Sequence, residues 1–119
     1  MKGFIMSLAV AVVWLFISLP AQANFLIDGG FVYDLKVIME GNLGSELAIK
    51  TLDADPVPWV HLGKNYCELR SQGMSQSDIL DIEWVKNQEL ESSEMKQAFW
   101  LLDKTVARVA KPTYCPEFS

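Results

Sequence analysis

Histidine occurs once in the 119 residues, as His61, and cysteine twice, as Cys67 and Cys115. One imidazole and no CxxC spacing leave a zinc ion short of ligands. A histidine base also needs a partner that orients it, and no nucleophile motif accompanies His61. It reads as a partly exposed surface histidine at the edge of a helix. The chain has no GxSxG, no HExxH, no phosphate-binding glycine loop and no N-x-[ST] sequon. Asp53-Ala54-Asp55 alternates carboxylates but lacks the glycine and terminal glutamate of a calcium loop. Asp78 and Asp81 share a helix face near a helix start and read as solvated charge. Glu83, Glu89 and Glu91 continue that exposed acidic surface. No metal, cofactor or catalytic carboxylate pair is expected. Basic residues are scarce too: ten against fifteen acidic ones give a net charge of −5. An acidic surface repels phosphate, which argues against nucleic acid and against docking on anionic lipid.

What the chain does have begins at its N-terminus. Lys2 gives a positive start, and Phe4 to Leu19 is a run without charge. Pro20 breaks the run, and Ala21-Gln22-Ala23 supplies the small-x-small pattern that a signal peptidase reads. The run is shorter than the roughly 20 residues that span a bilayer as a helix, and it has no basic stop-transfer flank. The expectation is a signal peptide over 1–23, cleaved after Ala23. The product would be secreted or periplasmic, with no stable membrane span after cleavage.

A mature chain from Asn24 is small, and small exported domains are often stapled. Two cysteines outside the cytoplasm make a Cys67–Cys115 disulfide the natural staple. Closing a loop of that length is worth about 4 kcal/mol through the unfolded state.

The rest of the pattern is helical. Asp28-Gly29-Gly30 is turn chemistry. Phe31 to Glu40 fits either period: Phe31, Leu35, Ile38 and Met39 recur as on a helix, while Phe31, Tyr33, Leu35, Val37 and Met39 alternate as on a strand. Helix is the choice, stopped by Gly41. Ser45 to Leu52 reads as a short helical piece capped by Ser45, and Pro56 and Pro58 forbid its continuation. A helix from about Pro58 to Gln72 carries Trp59, Leu62, Tyr66 and Leu69 on one face. Ser75 and Asp78 resemble a capping box for a helix to Gln88, with Ile79, Ile82 and Val85 as its apolar stripe. The strongest periodicity is last: Met95, Phe99, Leu102, Val106 and Val109, capped by Ser92 or Ser93 and ended by Pro112. The sum is an all-α fold, a small bundle of three to four short helices stapled by one disulfide. An N-terminal segment with a short helix and linker (24–57) precedes the stapled domain (58–119).

Trp59 and Phe99 sit at core spacing. Trp84 and Trp100 lie off the main stripes, which makes them the candidates for an exposed aromatic contact surface. The function expected is therefore a non-catalytic binding or interaction module. Its partner would be an envelope or extracellular protein or an apolar ligand. The alternative is a small exported enzyme using His61 with a neighbouring carboxylate.

The stapled half also carries a family likeness. Leu62-Gly63, Cys67, Leu69 and Gly73 are followed by Ser75 and Asp78, then Ala98 to Val106, then Tyr114-Cys115-Pro116-Glu117. In that order these short motifs resemble the domain-of-unknown-function family DUF732, known mainly from small exported bacterial proteins, many of them mycobacterial. The likeness covers roughly half the chain. It implies a short helix before the stapled region, a part that Phe31 to Gly41 could play. Asn42 to Pro58 is longer and richer in proline than the family's corresponding stretch. The family carries no accepted enzymatic activity, so the resemblance implies no catalytic residues.

Overall fold

The computed structural model describes residues 25–118. The expected signal peptide over 1–23 lies outside them. Among the described residues the chain is all-helical, with no strand. It divides between Gly30 and Phe31. Of the part before that point residues 25–30 are described; they are helical, and Phe25, Leu26 and Ile27 are exposed.

Among the described residues five α-helices are seen, not three to four: α1 (25–39), α2 (Ser45–Ala54), α3 (Val57–Ser71), α4 (Gln76–Asn87) and α5 (Ser93–Tyr114), then a 3₁₀ turn at Pro116–Phe118. The count is higher because the pieces before and after the α1–α2 turn are both full helices. The last helix, at 22 residues, is not short.

The ambiguity over Phe31 to Glu40 resolves as helix. Phe31, Leu35 and Met39, spaced by four, are wholly buried, while Tyr33 and Val37, which a strand would have shared with them, are exposed. Gly41 and Gly44 both take positive φ, 82° and 85°, and reverse the chain into α2. Asn42 Nδ2 donates to the carbonyl of Ile38 at 2.9 Å and so satisfies one free acceptor at the end of α1. Gly44 is the residue before α2 and makes no side-chain cap, so Ser45 lies inside the helix and does not cap it. α2 buries Ala48 and Leu52 in the same core as α1.

Pro56 and Pro58 open α3, where a missing N–H costs nothing. Its buried face is Trp59, Gly63 and Tyr66; Leu62 and Leu69 pack only partly. Ser75 Oγ accepts from the Asp78 N–H at 3.1 Å, and Ser92 Oγ accepts from the Met95 N–H at 3.0 Å, so both helix starts have the expected caps.

α5 is the spine. α2, α3 and α4 all pack on it. Leu102, Val106 and Val109 are buried as the periodicity predicts, together with Ala98, Ala107 and Ala110, whose small side chains let the neighbours approach closely. Met95, at the start of the stripe, is exposed. Pro112 does not end α5: the helix runs through it to Tyr114. Pro112 is exposed, and the Cys115 N–H reaches back to the carbonyls of Ala110 and Lys111, which holds the last turn helical around the proline. Cys115 is buried at that end of the helix. Its sulfur meets that of Cys67 at disulfide distance, with the two Cα atoms 5.7 Å apart across 48 residues of chain.

α4 departs most from its pattern. Ile79 is buried, but Ile82 and Val85 point outward, and the second buried residue is Asn87. The stripe of Ile79, Ile82 and Val85 is therefore not the packed face. That face is Ile79, Leu80, Glu83 and Asn87, so Glu83 is half-buried and not part of an open acidic surface.

Candidate functional site: an aromatic edge beside a buried carboxyl

The α4–α5 seam brings Trp84 and Trp100 together. Their ring centroids are 5.0 Å apart and their planes cross at 72°, an edge-to-face pair. Trp84 keeps 48% of its surface exposed, and Trp100 is half-buried. Lys104, one turn further along α5, places its ammonium 5.5 Å from the centre of the Trp100 ring, where the ring quadrupole attracts a cation.

Trp100 also lines a small groove of about 260 Å³, with Asn42, Leu43, Gln97, Leu101 and Lys104. Leu43 stands at the tip of the α1–α2 turn, 80% exposed. A larger hollow of about 730 Å³ adjoins it, sharing Asn42, Leu43 and Gln97 and adding Glu46, Lys50 and Glu94. The two aromatic residues singled out from sequence thus form one ridge, with Ile82 and Val85 exposed further round α4. Such a surface can bury apolar area against a partner and offer Lys104 to an anionic or carbonyl group. It holds no nucleophile and base in register.

His61 is exposed on α3, and among the described residues no carboxylate lies within hydrogen-bond or ion-pair reach of it. The geometry that a His61-based reaction requires is not assembled there. Among the described residues no group of three or more His, Cys, Asp or Glu side chains could hold a metal ion, and no helix is long and apolar enough to cross a membrane.

One feature beside the aromatic edge escaped the sequence reading. Asn87 Nδ2 donates to Asp103 Oδ2 at 2.6 Å, with both residues buried. Burial pushes the Asp103 carboxyl up to about 7. The Asn87 hydrogen bond acts against it, the nearby Glu83 charge adds to the rise, and Lys86 opposes it. The signal was present in the sequence: Asp103 lies four residues after Phe99 and three before Val106, on the side of α5 that packs. Elsewhere, burial also raises the Tyr66 hydroxyl above its usual value, against the Arg70 charge, and that hydroxyl donates to Gln76 Oε1 at 3.3 Å.

Comparison of the chain with protein-family models, with curated proteins and with solved structures gives no match.

Proposed function

We propose that this chain is an exported, non-catalytic binding module, related to the DUF732 family, that contacts its partner through the Trp84–Trp100 ridge. The observation that carries the reading is the exposure of Trp84. A large aromatic side chain is left half in water while its edge is fixed against a second tryptophan. Tryptophans of this kind supply much of the energy where proteins bind, because a rigid ring buries a large area at little entropic cost. The lone, exposed His61 gives no support to the enzymatic alternative. Export is supported by the charge and apolar layout of residues 1–23 and by two cysteines at disulfide distance.

The test is affinity capture from the protein's own envelope fraction, run in parallel with the native chain and Trp84→Ala. Trp84 is exposed enough that its loss leaves the helical content unchanged by circular dichroism. A partner retained by the native chain and lost by the variant is the expected result; equal capture by both removes the ridge from the reading. Intact mass of the exported protein, with and without reductant, reads out the cut after Ala23 and the Cys67–Cys115 bond.

A further inference from the structure

α4 is thinly anchored. Of its twelve residues only Ile79 and Asn87 are buried. Among its side-chain contacts with α5, two stand one helical turn apart: Trp84 against Trp100, and Asn87 against Asp103, three residues on along each helix. The second is the unusual one. A carboxylate can accept about four hydrogen bonds. Among the described residues Asp103 receives one, and it sits where water scarcely reaches. The charged groups that act on it are Glu83 and Lys86, both on α4 and themselves 3.5 Å apart; α2 and α3, which also pack on α5, bring none. Ionising Asp103 therefore sets a second, poorly solvated negative charge beside the half-buried Glu83, in the seam that closes the tryptophan pair.

We propose that Asp103 is a proton latch for α4: protonated, it lets the helix close on α5, and on losing its proton it loosens the helix and parts the Trp84–Trp100 edge. The latch rests on the binding reading above, since the surface it regulates is the one assigned to the partner. Its direction follows from linkage. In the closed seam the carboxyl holds its proton up to about pH 7, whereas once α4 lifts away it is hydrated and ionises near 3.8. Between those limits opening becomes about tenfold easier for each pH unit, and above them it levels off. The aromatic ridge is thus tightest in acid and most accessible at neutral pH.

Hydrogen exchange of the full chain, read by mass spectrometry and corrected for intrinsic rates, tests this without any partner. Between pH 5 and pH 7 protection of α4 falls by up to about 100-fold and stays below that of α3, and in Asp103→Asn the α4 protection is the same at both pH values. Equal α4 protection at the two pH values in the native chain, or the same fall in Asp103→Asn, overturns the latch. Should Asp103→Asn fail to fold, carbon NMR titration of the Asp103 carboxyl in the native chain decides: a midpoint near 7 supports the latch and one near 4 removes it. The two proposals fail separately. A pH-dependent α4 with undiminished capture by Trp84→Ala keeps the latch and discards the ridge as a contact; a flat α4 with capture lost does the reverse.

Discussion

Gly63 sits inside α3, where glycine is an expensive choice. Replacing an interior helical glycine by alanine ordinarily gains up to about 1 kcal/mol, because the chain has less backbone entropy to lose. At this position the exchange meets a hard obstacle. A Cβ on Gly63 would lie 2.7 Å from Phe31 Cζ and within 3.3 Å of both Cε atoms. Ordinary carbon contacts begin near 3.5 Å, so the ring must retreat by nearly an ångström. It has nowhere to go: Phe31 is wholly buried, and its ring is tilted against Tyr114 with centroids 5.1 Å apart. Overpacking of this kind costs about 1–3 kcal/mol. The steric term outweighs the helix-propensity gain, and Gly63→Ala is expected to destabilise by about 1–2 kcal/mol net.

Urea denaturation followed by circular dichroism measures that loss, and two further variants isolate its cause. Gly30→Ala, at a helical position where an added Cβ meets nothing within 4 Å, should leave stability unchanged or raise it by up to about 1 kcal/mol. Phe31→Leu, destabilising alone, should cost less in the Gly63→Ala background, because the smaller side chain makes room; the coupling of about 1 kcal/mol is the signature of direct contact. A Gly63→Ala protein as stable as the native one would show that α1 does not press its phenylalanine onto the glycine of α3.

Asp103→Asn keeps the shape of the side chain but cannot ionise. Because the folded carboxyl is raised to about 7 from 3.8, its contribution to stability is fully present below about pH 4, is lost as pH climbs to 7 and is constant beyond. The variant should therefore match the native protein in acid and exceed it at pH 8 by up to about 4 kcal/mol, read from denaturation midpoints across that range; parallel pH profiles would refute the burial argument. Cys67→Ala with Cys115→Ala opens a loop of 48 residues and should cost about 4 kcal/mol, with the native chain in reductant losing a similar amount. Ser92→Ala removes the cap that holds the Met95 N–H and should cost about 1 kcal/mol in thermal or chemical unfolding, whereas Ser93→Ala, one residue inside the helix, should cost little.

The parts of the fold that could be read from the chain are those where one physical signal outweighs the rest. α5 carries Leu102, Val106 and Val109 on a single stripe, its cap is a serine, and the structure buries the stripe and uses the cap. The cysteine pair was legible because two thiols admit one pairing, and the helices return Cys115 to Cys67. Pro112 does not act as the local breaker that a proline is by itself, because the tail beyond it is held from both sides, by the Cys115 N–H bonds and by the contact with Cys67. α4 departs from its pattern for a different reason. Apolar residues occur all round it, so hydrophobic period alone admits more than one face. What selects the face is a polar contact, Asn87 to Asp103, and no period-based reading counts an asparagine as an anchor. Once that bond fixes the rotation of α4, Glu83 is carried inward, Ile82 and Val85 outward, and Trp84 is left at the rim against Trp100. The exposed tryptophan and the buried aspartate are in this sense one feature. An apolar residue in place of Asn87 would be expected to let α4 turn Ile82 and Val85 inward and withdraw the ridge. Asn87→Leu should therefore blue-shift tryptophan emission and lose the pH dependence of Asp103 together, and a variant that did one without the other would separate the two halves of the seam.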